Sequence, residues 1–234
     1  MKNSEALLKF NVGYDAIASL QAPPLEIPEI NTLFNDAMMN LIMVLNNAKQ
    51  YDKLTEITIV EKLDLSSCIV ESFGDHTYQA TKLFSSFLYY VNAHALINRV
   101  EVVAVTNEWV KCTEVKRPEV DFYVQSPMNR QIIIYPKVFM HYGPIQTSPS
   151  GPTYILNIPV LLVDSYTTIT ASQGFEIVYI EIPDAIDLTD STLELCQLNS
   201  ELQELIVNEA IVRAMRATDE DRLKLAMQEQ KQAK

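Results

Sequence analysis

From Val100 to Ile182 the chain is a succession of short β-branched and aromatic runs: VEVVAV, EVDFYVQ, QIIIYPKVFMHY, TYILNIPVLLV, TTITA and FEIVYIEI. Pro, Gly, Asn and Ser separate them, which is the pattern of strands bounded by turns. Helical periodicity occupies the two ends instead. Strands grouped in the middle and helices first and last predict an α+β fold: helical N- and C-terminal segments packed as a bundle, with a central antiparallel β-rich lobe. The expected divisions of this single domain are 1–98 mainly helical, 99–182 the β lobe, 183–218 an acidic linker and closing helix, and 219–234 a tail. Pro136 and Pro159 fall inside strand-like runs and mark edges or bulges, because proline cannot donate to a ladder.

The clearest helix follows the proline-punctuated stretch APPLEIPEI. Pro28 suits its first turn, where a missing N–H costs nothing. Ile30, Leu33, Phe34, Ala37, Leu41, Leu45 and Ala48 recur at three-four spacing. Met38, Met39, Ile42, Met43 and Val44 widen the stripe, predicting burial on more than one side. TEITIVEKLDL, residues 55–65, alternates as a strand, and TYQATKLFSSFLYYVNAHAL, Thr77–Leu96, is read as a second helix.

The closing helix lies in CQLNSELQELIVNEAIVRAMRAT, Cys196–Thr218. Ser200 and Gln203 fit a capping box, with Leu198 near the staple position. Glu201 and Glu204 favour the N-terminal end of the dipole, while Arg213 and Arg216 come late. Beyond it, DEDRLKLAMQEQKQAK is either a frayed tail or a segment ordered by a neighbouring subunit through Leu223, Leu225 and Met227. The loop GPIQTSPSGP, Gly143–Pro152, is long for a hairpin tip. It is either an exposed turn or an arm docking on a neighbour through Pro144, Ile145 and Gln146.

Chemistry-bearing motifs are scarce. His76, His94 and His141 have no second His or Cys at ligand spacing, and the five glycines cannot build a phosphate cradle. GxSxG, HExxH, GxGxxG and Walker patterns are absent. Asp75 beside His76 suits a helix cap better than a catalytic partner. Cys68, Cys112 and Cys196 are odd in number and widely spaced, so they read as reduced, mostly buried thiols. The expectation is a non-enzyme with no metal and no cofactor. MKNSEALLKF lacks the apolar core of a signal peptide, and MMNLIMVL is too short to span a bilayer, so neither secretion nor a membrane is expected.

The net charge is −12. It disfavours wrapping nucleic acid, which requires clustered Lys and Arg. No Lys or Arg occurs from Val138 through Val212, while Asp and Glu recur from Asp164 onward. Within that tract Asp184, Asp187 and Asp190 lack the central Gly and terminal Glu of a calcium loop and read as a solvated acidic linker. In a ring of copies such a tract lines a surface with negative potential; ordinary acidic solubility explains it equally.

The segment FEIVYIEIPDAIDLTDSTLELCQLNSELQELIVNEAIVRAMRATDEDRL, Phe175–Leu223, resembles the C-terminal part of phage head-to-tail connector proteins, the adaptor rings stacked below the portal. A Y-I-x-x-P strand (Tyr179, Ile180, Pro183) precedes an acidic linker. A C-x-L (Cys196, Leu198) and a helix of the form E-L-x-x-x-I-V-x-x-A follow, matched by Glu204 or Glu201, Leu205, Ile206, Val207 and Ala210. YDAIASLQAPPLEIPEINTLFNDAMMNLI is similar to the opening of structural proteins of crAss-like and related short-tailed phages. One departure is Phe34 after Leu33, where the pattern has L-N; Asn35 comes one later. The resemblance implies a virion protein assembled in the host cytoplasm, a homo-oligomeric ring, dodecameric in this family, between the portal and adjacent ring or tail proteins. DNA then passes its lumen without specific binding. The alternative is an assembly adaptor or chaperone absent from the virion.

Overall fold

The computed structural model describes residues 1–17, 25–63, 77–84, 86–100, 105–114, 137–138, 141–142, 146–148, 151–161, 167–169 and 174–232. The fold is α+β, and the chain divides into two compact units. Met1–Ile57 joins Pro183–Lys234 in one, and Thr58–Ile182 forms the other.

The first unit is a helical bundle of α1 (Asn3–Ile17), α2 (Ile27–Asn47), a 3-10 helix (Tyr51–Ile57) and α3 (Ser200–Gln232). α2 begins where the sequence places it. Pro28 lies in the first turn, and the Glu29 carboxylate accepts the Glu26 N–H at 2.9 Å. Ile30, Phe34, Ala37, Met38, Ile42 and Leu45 form its buried stripe. Burial on several sides is not what the structure gives. Met39, Met43 and Val44 are exposed, Val44 by 51%, because the bundle covers one face of α2 only. Phe10 and Ala6 of α1 join that core, with the Phe10 ring 5.6 Å from Phe34 and stacked 5.9 Å from Tyr14.

α2 ends in a Schellman motif. Gln50 N–H donates to Leu45 O and Lys49 N–H to Asn46 O, each at 3.0 Å. The motif puts Lys49 in the left-handed region, φ 56°, where a Cβ crowds its own backbone. Lys49→Gly is therefore expected to stabilise the bundle by about 1 kcal/mol, read as a higher thermal midpoint; an unchanged or lower midpoint contradicts this.

Two features of α3 depart from expectation. Asn199, not Ser200, caps it, its Oδ1 accepting Leu202 N–H at 3.0 Å. Gln203 does not reach back to a cap. It is buried, and its Nε2 donates to Cys196 O and Leu198 O while its Oε1 accepts from the Met1 amino group. The helix also does not stop near Thr218 but continues to Gln232. No Gly or Pro follows Thr218, and Glu, Lys, Gln, Leu and Met all favour helix.

Among the described residues the second unit contains two sheets. In the first, β1 (Thr58–Leu63), β11 (Phe175–Glu181), β3 (Phe87–Val100) and β4 (Val105–Lys111) run antiparallel in that order. β10 (Thr167–Ile169) pairs with Ile97–Arg99 of β3. In the second, β9 (Gly151–Leu161) pairs along one edge with β2 (Thr77–Phe84). It also pairs with β6 (Lys137–Val138), β7 (His141–Tyr142) and β8 (Gln146–Ser148). β5 (Thr113–Glu114) joins β6 in parallel.

The expected helix over Thr77–Leu96 is thus two strands in two sheets, and the β unit begins at Thr58 rather than 99. The segment is rich in Tyr, Phe and Thr, whose side chains lose χ1 freedom in a helix and pack well on a pleated surface. In β3, Ala93 and Ala95 are buried while Asn92 and His94 alternate to the other face. Phe175, Ile177, Val110 and Cys112 share the buried face with the alanines. Burial pushes the Cys112 thiol up to about 12. Since the thiolate is the reactive form, Cys112 is expected to resist iodoacetamide at mildly alkaline pH until the chain is unfolded. Cys112 modification in the native protein, seen by peptide mass spectrometry, contradicts that packing.

Candidate interaction surfaces

The segment expected to be a solvated acidic linker is an ordered strap across the helical unit. Pro183, Ile186, Leu188, Leu195 and Leu198 turn inward and are buried, and the acids occupy outward positions between them. Three asparagines fasten it. Asn35 pairs with the Ile186 backbone in both directions: its Oδ1 accepts Ile186 N–H at 2.8 Å and its Nδ2 donates to Ile186 O at 2.9 Å. One turn earlier, Asn31 Oδ1 accepts Leu188 N–H at 3.0 Å. Buried Asn3 donates from Nδ2 to Asp187 O and Asp190 O, each at 2.8 Å. Main-chain bonds complete the attachment: Asn3 N–H to Leu193 O at 2.9 Å and Leu195 N–H to Met1 O at 3.0 Å.

Asp184, Asp187 and Asp190 are exposed, and each carboxylate also holds a local donor. Asp184 Oδ2 accepts Gln197 Nε2 at 2.7 Å. Asp187 Oδ1 accepts Thr189 N–H at 3.0 Å and Asn31 Nδ2 at 3.2 Å. Asp190 Oδ1 accepts Thr192 N–H at 2.9 Å and Thr192 Oγ1 at 2.6 Å. The Asp187–Thr189 and Asp190–Thr192 bonds are Asx turns, side chains standing in for backbone acceptors. The Thr189 N–H and the Thr192 donors hold the Asp187 and Asp190 carboxyls below their ordinary range.

A depressed folded pKa adds stability that is present above the unfolded value and lost as pH falls through the folded one. Strap attachment is expected to weaken below about pH 4. A joint Asp187→Asn and Asp190→Asn variant, which keeps an acceptor at each turn, is expected to flatten the acid limb of a thermal-midpoint profile. An acid limb identical to the parent's contradicts this.

The other expected docking residues separate. Pro144 and Ile145 lie outside the described residues. Gln146 stands in β8 opposite Thr153, and Ser148 opposes Gly151, so the ladder runs through much of what the sequence suggests is an open loop. At Leu223, Leu225 and Met227 the backbone is helical, within α3. Of the histidines, His76 lies outside the described residues, His141 pairs with Asn157 in β7, and His94 Nδ1 is 3.8 Å from Glu176 Oε1. Among the described residues no group of three or more His, Cys, Asp or Glu is placed to hold a metal. No helix among them is long and apolar enough to cross a membrane.

Sequence reasoning does not single out Asn3, Asn31 and Asn35 as fasteners, and it offers Gln203 only as a capping-box residue. The available signal was the Asn31/Asn35 spacing, two amides one turn apart beside an apolar stripe. No family model and no curated protein matches the chain.

Proposed function

We propose that this chain is a structural subunit of a virion ring joining the portal to the tail, through which DNA passes without specific binding. The observation that carries the reading is the length of α3. Its 33 residues span about 50 Å at 1.5 Å per residue. The 15 residues of α1 and 21 of α2 span about 22 and 31 Å on the same rise. α3 is therefore longer than either of the two helices it packs on. A helix longer than those it packs on suits a subunit that interlocks with neighbours. The resemblance at both ends of the chain supports the same reading, and so does the absence of Lys and Arg from Val138 through Val212, which suits a passage that repels phosphate.

Purified protein, alone and mixed with its portal, is expected to give closed rings by mass photometry and electron microscopy, dodecameric as in the family it resembles. A strict monomer that never joins the portal overturns the reading. Fixed stoichiometry in purified virions separates a structural subunit from an assembly chaperone. Duplex DNA is expected to bind weakly or not at all at physiological salt, and a tight gel shift contradicts a non-adhesive passage.

A further inference from the structure

The five-stranded sheet has one buried face and one more open face, half-buried along β11 and β3 and exposed at its β1 and β4 edges. Directly opposed residues in antiparallel strands project to the same side, so the register defines the open face row by row. One row runs Lys62, Glu176, His94, Lys111 across β1, β11, β3 and β4. Beside it lie Val60, Val178 and Asn92 on one flank, and Leu96 with Trp109 on the other. Val60 is 58% exposed and Trp109, the only tryptophan, 42%. Lys62 and Lys111 are exposed, and Lys62 Nζ lies 5.8 Å from the Trp109 ring centroid. An aromatic anchor, an exposed valine and two lysines, with one carboxylate among them, make a cationic apolar platform on a chain whose charge is −12. Aromatic anchors of this kind mark the centres of protein interfaces.

The same chain carries the complement. In the strap Asp184, Asp187, Asp190 and Glu194 are exposed, and Leu193 stands among them 56% exposed. No Lys or Arg occurs from Val138 through Val212. We propose that the open sheet face of one copy docks on the Asp184–Glu194 strap of a second copy. The two surfaces differ, so the contact is able to repeat head-to-tail from copy to copy, the arrangement that gives a ring where the rotation closes. This deepens the ring reading and rests on it, naming the two faces that meet.

Charge reversal on the full-length chain tests it, with self-association measured by mass photometry and sedimentation, alone and with the portal. Lys62→Glu with Lys111→Glu, and separately Asp184→Lys with Glu194→Lys, are each expected to weaken association about tenfold or more; Trp109→Ala is expected to weaken it as well. Mixed in equal amounts, the two reversal variants restore association, because each reversed face then meets a reversed strap. That rescue also shows that both variants fold. Rings that form unchanged in the reversal variants overturn this contact and leave the ring reading standing. A wild-type chain that never self-associates, with or without the portal, overturns both. Single-stranded oligonucleotide binding that Trp109→Ala abolishes, with self-association unaltered, assigns the face to nucleic acid and overturns the proposal.

Discussion

Phe34→Ala is expected to destabilise the helical unit by about 3–5 kcal/mol, the range for a large aromatic removed from a closed core. Phe34 is fully buried, and its ring sits 5.6 Å from Phe10, itself fully buried and stacked on Tyr14. The cavity left behind opens at the meeting point of α1 and α2, so no single side chain can refill it. Domains are stable by only about 5–15 kcal/mol, so the loss is a large fraction of the total. Phe34→Leu keeps most of the volume and is expected to cost less, and half-buried Leu33→Ala less than Phe34→Ala. Phe34→Asn puts at this position the residue found in the pattern that the N-terminus resembles. It is expected to be worse than alanine, because the buried amide has no partner there. Urea unfolding followed by far-UV dichroism reports the helices. Trp109 fluorescence separately reports the β unit, which contains the only tryptophan. A Phe34→Ala midpoint equal to the parent's refutes the packing described.

The sequence carried α2 well because its register is set locally. Pro28 and Glu29 mark the start, and Ile30, Phe34, Ala37, Ile42 and Leu45 all fall on one side of a 3.6-residue repeat. It carried β3 badly for the opposite reason. Ala93 and Ala95 are compatible with helix, and only pairing with β11, far along the chain, decides between the two. The Schellman ending at Lys49 was invisible because the residue in the left-handed position is not glycine. The length of α3 was legible in composition, but a mixed-charge stretch with few apolar residues reads as a tail when no partner face is known. The three aspartates were found as acids and misjudged as merely solvated. Their turns with Thr189 and Thr192 are short-range and inferable. The asparagines that fasten the strap act across most of the chain, and no local pattern announces such partners.

Asn35 is the sharpest case, and its removal is the second large effect expected. Its amide makes three hydrogen bonds, two with the Ile186 backbone and one to Asn31 O at 2.8 Å. Alanine leaves the Ile186 N–H and C=O facing a truncated side chain at a half-buried site. A net hydrogen bond contributes about 1 kcal/mol and an orphaned buried group costs about 1–3 kcal/mol, so Asn35→Ala is expected to lose about 2–3 kcal/mol. Its neighbour Asp36 is exposed, and Asp36→Ala is expected to stay within about 0.5 kcal/mol of the parent. Amide exchange localises the effect. Ile186 N–H is expected to be protected in the parent and to exchange rapidly in Asn35→Ala, while the amides of α2 around Phe34 keep their protection. Retained protection at Ile186 overturns this and assigns the hold to the Asn31 and Asn3 amides and the buried Ile186 and Leu188 side chains. Lost protection means that one amide on α2 sets the register of the strap. The positions of Asp184, Asp187 and Asp190, and with them any surface they present to a neighbouring copy, then depend on Asn35.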